Sequence, residues 1–193
     1  MSTRVSALRR HRGVTLIELL VSLTVLAILL GVAVPSFRHM LSVNRITGRA
    51  NDLIGDLRLA RSEAIRRGQP VTLLSRNADD FLAQGWSVMP DEDGDGAAAS
   101  PATATDGVAL RVFDATSGSI RLRRVTASGT TLNVDTTSTD RAYLVFTAQG
   151  LNKLGANVLY RVCDAANPSV EGRLIAVNGV GKVSLESTHA SCA

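Results

Sequence analysis

Glu18 is the single charged side chain in an otherwise apolar run, VTLIELLVSLTVLAILLGVAV, that extends from Val14 to Val34. An ionised carboxylate in hydrocarbon costs roughly 2.5–3.5 kcal/mol even on the most lenient scale, so such a residue needs a partner. The run supplies none, and the partner must come from another chain or from a newly made N-terminal amine. A second candidate is the acidic stretch Asp91-Glu92-Asp93-Gly94-Asp95-Gly96. Asp91, Asp93 and Asp95 follow the opening of a calcium loop, where clustered oxygens suit a hard cation. The position that an EF-hand fills with a bidentate Glu is Ala102 here, and no second helix is apparent. The competing reading is an acidic surface turn shaped by Asp and Gly. Arg121, Arg123, Arg124, Arg161 and Arg173 form a third set, whose chemistry suits nucleic-acid phosphates. The two cysteines, Cys163 and Cys192, fit no zinc spacing. In an exported domain a disulfide between them is the simplest reading, closing a loop of about 30 residues worth roughly 3–4 kcal/mol. The alternative is two unpaired small hydrophobes. No catalytic set is visible: His11, His39 and His189 are scattered, and no Walker loop, H-E-x-x-H or G-x-S-x-G occurs. The chain reads as a non-enzyme with no cofactor, calcium apart.

The elements that carry these residues follow from periodicity. The 21 residues from Val14 to Val34 span about 30 Å as a helix, the thickness of a bilayer core. Arg4, Arg9, Arg10 and Arg12 precede the run, which keeps that end cytoplasmic and exports the rest in a single pass. A cleaved secretory signal has a shorter apolar stretch and a small-residue site on its far side. Pro35 removes one helical hydrogen bond and clashes with the carbonyl of Gly31, which predicts a kink or local melting. Beyond it Ile46, Ala50, Leu53, Leu57, Ala60 and Ala64 recur at helical steps as an apolar stripe, and Gly68 and Pro70 end the helix. The stripe suits packing on a sheet of the same chain; a two-chain coiled coil would have a short seam. Gly48 and Gly55 share a face where close packing is an option. Arg58, Arg61, Arg66 and Arg67 cluster near the helix end, as a solvated face or a phosphate patch.

From Val71 onward the pattern changes to short β-like runs between turn residues: Val71–Leu74, Trp86–Met89, Val108–Phe113, Ile120–Val125, Leu132–Val134, Tyr143–Thr147, Val158–Cys163, Leu174–Val177 and Val183–Leu185. Ile120 and Leu122 alternate with Arg121 and Arg123, so one face is buried and one wet. Asn178-Gly179 and Gly181 mark a hairpin turn. A long helix followed by strands gives an α+β class with an antiparallel β-sheet domain. The chain thus divides into a basic segment 1–13, an apolar helical half 14–34, an amphipathic helical half 35–67 and a β-rich domain 68–193. The formal charge of +4 invites a nucleic-acid reading. Four of the 21 basic residues lie in 1–13, however, and the remaining 17 match the 17 acidic ones.

The run Gly13-Val14-Thr15-Leu16-Ile17-Glu18-Leu19-Leu20 resembles the processing signal of type IV prepilins, although Val14 stands where Phe is usual. The resemblance implies that 1–13 is a leader, that a prepilin peptidase cuts between Gly13 and Val14, and that the new amine is methylated. It also implies that Glu18 pairs with the amine of a neighbouring subunit, and that Pro35 is the helix-bending proline common in pilins. LARSEAIRRGQPV (Leu59–Val71), GWSVMPDEDGDG (Gly85–Gly96) and LVFTAQG (Leu144–Gly150) are similar to the GspH/FimT branch of the superfamily. That branch implies a type IV pilin-like fold and a minor subunit of a type II secretion pseudopilus or type IV pilus. Its partners would be the other pilins or pseudopilins of the filament, the prepilin peptidase and the inner-membrane assembly platform. Its location would be the inner membrane, with a periplasmic C-terminal domain. Some members bind DNA through a terminal G-R-x-R; this chain has Gly172-Arg173-Leu174-Ile175, matching only the first arginine. A DNA-binding minor pilin for uptake or adhesion is the alternative function.

Overall fold

The structure, a computed structural model, describes residues 14–91, 108–128, 131–136 and 142–190. The chain divides into two compact units, Met1–Arg38 and His39–Ala193. A single helix, α1 (Leu16–Arg67), contributes to both. It starts at Thr15, whose side-chain oxygen accepts the backbone N–H of Glu18 at 3.3 Å. This is the N-cap arrangement that satisfies an orphan donor of the first turn. Helical backbone continues through Pro35. The local melting expected there is absent, because losing one N–H leaves the neighbouring rungs of the ladder in place.

In the second unit the stripe does what its spacing requires. Ile46, Ala50, Leu53, Leu57, Ala60 and Ala64 are all buried, and they join one core cluster with residues of every long strand. Gly48 and Gly55 instead face open space, so no close backbone approach occurs at either. The helix ends at Gly68, whose φ of +67° is the left-handed conformation of a helix C-terminus.

All nine strand runs form, but they build two antiparallel sheets rather than one. The first has β1 (Val71–Ser75), β2 (Trp86–Pro90), β3 (Arg111–Phe113) and β6 (Tyr143–Phe146) in the order β3-β2-β1-β6. The second has β4 (Ile120–Ser128), β5 (Thr131–Val134), β7 (Val158–Asp164), β8 (Gly172–Val177) and β9 (Val183–Ala190) in the order β5-β4-β7-β8-β9. A one-turn helix, α2 (Phe81–Gln84), was not apparent from periodicity. Asp80 caps it, and the same Oδ1 accepts the N–H groups of Leu82 at 3.2 Å and Leu122 at 3.1 Å. Phe81 then meets Tyr160 edge to face, with centroids 5.5 Å apart.

Stretches far apart in sequence meet at the end of α1. Arg61 donates from Nε to the Gly150 carbonyl and from Nη2 to the Val180 carbonyl, both at 3.0 Å. The β8–β9 turn there is closed by Lys182 N–H donating to Asn178 Oδ1 at 2.8 Å and by Gly181 N–H donating to the Asn178 carbonyl at 2.9 Å. Gly181 has φ +74°, and a Cβ on it would stand 2.0 Å from the Gly150 oxygen. Gly181→Ala is therefore expected to destabilise the domain by more than about 2 kcal/mol, from a left-handed non-glycine residue plus a backbone clash. Urea unfolding of the variant against the parent checks this.

A buried polar contact ties α1 to the end of β7. Ser42 Oγ donates to Asp164 Oδ2, which also accepts from Asn167 Nδ2 at 3.1 Å; Oδ1 accepts the Ala166 N–H at 3.0 Å. Burial pushes the Asp164 carboxyl up, but hydrogen bonds from Ser119, Ser42, Asn167 and Ala166 outweigh it and hold the group at about 2. A depressed carboxylate stabilises the fold above its unfolded value near 3.8 and loses that contribution as pH falls to about 2. The loss should amount to on the order of 2 kcal/mol across that window. Asp164→Asn should flatten that acid limb in a pH series of denaturation midpoints.

Candidate functional site

The first unit presents a helix whose apolar length is unused by its own chain. None of the most hydrophobic part of α1 is buried, and by length and composition it can cross a membrane. Every residue from Val14 to Leu41 is exposed. The polar side chains within the run are satisfied locally: Ser22 and Thr24 donate their hydroxyls to the carbonyls of Glu18 and Leu20 at 2.7 and 2.8 Å. Glu18 differs. Its backbone is capped by Thr15, and among the described residues its carboxylate has no hydrogen bond or ion pair. It sits in the first turn, where the helix dipole favours negative charge. Thr15 and Glu18 also have the spacing of a capping box, a signal in the sequence that the apolar pattern concealed. Val14 is exposed beside Thr15; Gly13 lies outside the described residues.

The remaining candidates meet different fates. Cys163 is disulfide-bonded, and Cys192 lies outside the described residues. Asp91 is fully buried; its Oδ2 accepts the Thr72 hydroxyl at 2.5 Å, and its N–H donates to the Pro70 carbonyl. The acidic stretch thus begins as part of the β1–β2 pair, while Asp93 and Asp95 lie outside the described residues. Among the described residues no group of three or more metal-ligating side chains converges.

The five arginines do not form one surface. Arg121, Arg123 and Arg161 come together around a pocket of about 120 Å³, with Cys163 and Ala165. Arg124 alternates away from them on β4 and stands 3.5 Å from the buried carboxylate of Asp135. Arg173 is exposed on β8 opposite Val162. Three of the four basic residues at the end of α1 are likewise engaged: Arg61 holds two carbonyls, and Arg66 and Arg67 pair with Glu63 at 2.5 and 2.8 Å. Those two arginines hold the Glu63 carboxyl at about 2.

Sequence reasoning missed Asp56. It is buried on the inner face of α1 and accepts the Trp86 indole N–H on Oδ2 at 2.8 Å. Arg111 Nε stands 2.8 Å from Oδ1, close enough to pair although its N–H is not aimed along the line. Trp86 stacks on Phe113 with centroids 3.9 Å apart, and Arg49 lies over the Phe113 ring. Asp56 lies three residues after Leu53 and four before Ala60, which placed it on the buried stripe.

Comparison with known proteins agrees with this arrangement. A family model described as Type II transport protein GspH matches residues 49–181, and one described as Prokaryotic N-terminal methylation motif matches residues 8–34. Among solved structures, the type IV minor pilin FimU of Pseudomonas aeruginosa is similar at 19% identity. The match covers 74% of this chain and 89% of that one, with a TM-score of 0.53. A second crystal form of FimU gives 18% identity over 72% and 91%, with a TM-score of 0.51. The minor pseudopilin EpsH of the Vibrio cholerae Type 2 Secretion System aligns at 12% identity over 72% and 94%, with a TM-score of 0.42. The comparison with curated proteins finds no match. The FimU likeness shows the type IV pilin-like fold, and the match to the Type II transport protein GspH model, spanning well over half of the sequence, shows that the chain belongs to the GspH family.

Proposed function

We propose that this chain is a structural rather than catalytic subunit, cut by a prepilin peptidase between Gly13 and Val14, methylated on the new amine, and assembled through α1 into a pilin-like filament. The observation that carries the proposal is the contrast along one helix. From Ile46 the apolar stripe is buried against its own domain, whereas the apolar run before Leu41 is exposed throughout. A bare apolar surface of that length is stable only in lipid or against like helices. The four arginines ahead of the run favour a cytoplasmic leader and a periplasmic second unit. Export supports pairing of Cys163 with Cys192. The Glu18 carboxylate would neutralise a neighbour's amine, and a misregistered subunit would leave that charge unpaired. The GspH match favours a type II secretion pseudopilus over a type IV pilus.

The machine is tested by a photo-crosslinkable residue at exposed Lys182 in living cells. Capture of secretion pseudopilins is the expected result. Capture of type IV pilus subunits instead would move the role to the pilus, with DNA uptake or adhesion among its functions, and capture of no filament subunit would contradict the proposal.

A further inference from the structure

Three aliphatic side chains stand together in the open at the C-terminal end of α1. Ile65 is 53% exposed, Leu151 44% and Val180 58%, and none belongs to the core cluster. Single aliphatic residues on a surface need no explanation, but these are neighbours from three separate segments. Ile65 lies against Gly150, where an added Cβ would stand 2.6 Å from its Cδ1. The Asn152 N–H donates to the Gly179 carbonyl at 3.1 Å, which brings Leu151 beside the turn that carries Val180. Arg61 fastens both segments to the helix through the Gly150 and Val180 carbonyls. Gly150 and Gly181 have φ of +75° and +74° there, a conformation that glycine alone adopts freely. The fold thus holds rigid an apolar patch that its own core does not use, and a rigid patch loses little further entropy on binding. Beside it is a cavity of about 360 Å³ lined by Arg58, Arg61, Ser62, Ile65, Lys182 and Val183. No acid lines it, and Glu63, on the same turn of α1, is taken by Arg66 and Arg67. Among the described residues the side chains of Arg58 and Lys182 have no hydrogen bond or ion pair.

We infer that this surface docks another protein chain, one that presents a large apolar side chain flanked by carboxylates. The apolar anchor fills the cavity against Ile65 and Val183, as buried anchors do at the centre of an interface. The carboxylates meet Arg58 and Lys182 at the rim, where charge steers the encounter and excludes wrong partners. A second copy meeting it patch to patch would oppose like charges, because a two-fold contact sets each patch against itself. A phosphate would leave the aliphatic wall bare, and Arg61 offers it no free fork, since Nε and Nη2 already serve carbonyls. The inference adds the partner's chemistry to the filament reading, on which it rests for bringing such a chain within reach.

The test places a photo-crosslinkable residue at Leu151 of the full chain in living cells, and separately at Val21 in the apolar run. The parent, Arg58→Glu and Lys182→Glu are compared; both side chains are exposed, so reversal leaves the core intact. The expected result is one dominant adduct at Leu151 to a different protein. Its cross-linked peptide, identified by mass spectrometry, carries a large apolar residue within a few positions of Asp or Glu. Each charge reversal should lower that yield at least about tenfold and leave the Val21 adducts unchanged. Changing the captured carboxylate to Lys should restore the yield with Arg58→Glu or Lys182→Glu, which a merely structural role for the two cations would not allow. Capture of a second copy, of lipid or of nucleic acid at Leu151, or a yield that both reversals leave unchanged, would overturn the inference. Adducts at Val21 with none at Leu151 would overturn it and leave the filament reading standing; none at either position would sink both.

Discussion

Glu18→Ala is expected to be inserted in the membrane and processed like the parent, yet to enter filaments on the order of 100-fold less. Insertion depends on the apolar run and its basic flank, and removing a charge from that run favours it. On the proposed reading the cut falls between Gly13 and Val14, and the change leaves those residues intact. Assembly differs, because the neighbour's methylated amine would enter an apolar filament core with no counter-ion. Leaving one member of a buried ion pair alone costs about 3–5 kcal/mol, which is roughly two to nearly four orders of magnitude in an association constant. Glu18→Gln should behave nearly as badly, since it keeps shape but not charge. Immunoblots of sheared filaments and membranes from the same cells separate the steps. Equal filament content in parent and both variants would sink the pairing role, and a loss of processing would show that Glu18 serves the peptidase instead.

The second large effect is expected at Asp56. Asp56→Ala should destabilise the second unit by up to about 3 kcal/mol, the scale of a buried donor left unpaired, a large share of the roughly 5–15 kcal/mol typical of a domain. The substitution strands the Trp86 indole N–H in the core, leaves Arg111 without its carboxylate and opens space under α1. Asp56→Asn keeps an acceptor for Trp86 and should cost only about 1 kcal/mol, the scale of a single hydrogen bond. Burial pushes the Asp56 carboxyl above its ordinary value, outweighing the Trp86 hydrogen bond and the Arg111 charge. A carboxyl raised in the folded state contributes stability below its unfolded value near 3.8 that is lost as pH rises through the folded value. Asp56 therefore opposes Asp164, and the asparagine variant should remove that part of the pH dependence. Denaturant titrations at neutral and acidic pH distinguish the variants; equal destabilisation by Ala and Asn would mean that the charge, not the acceptor, is what the core requires.

Much of this architecture was legible because it rests on local pattern. The stripe from Ile46 to Ala64 and the nine strand runs are set by periods of 3.6 and 2, which the residues display directly. The lone charge at Glu18 was legible for the same reason, against a uniformly apolar background. The division into two sheets was not, because it depends on partners far apart in the chain: β1 takes β6 across Val71 and Phe146 as well as its neighbour β2. The start of β3 at Arg111 rather than Val108 follows from its partner, since only Arg111–Phe113 face Trp86–Val88. Helix α2 is a single turn, too short for periodicity, and only Asp80 before Phe81-Leu82 hinted at it. Asp56 was missed because a charged residue on an apolar stripe reads as an interruption; its partners come from β2 and β3, which no local signal names. The arginines were read as one set by composition, whereas strand alternation and the register of β4 on β7 separate Arg124 from Arg121, Arg123 and Arg161.

The central claim is that this chain is a processed filament subunit, and mass spectrometry of the N-terminal peptide recovered from sheared filaments tests it most directly. The account predicts a peptide that begins at Val14, carries one methyl group on its amine and is present in the filament fraction. A chain that retains residues before Gly13, or that is confined to the membrane fraction, would contradict it.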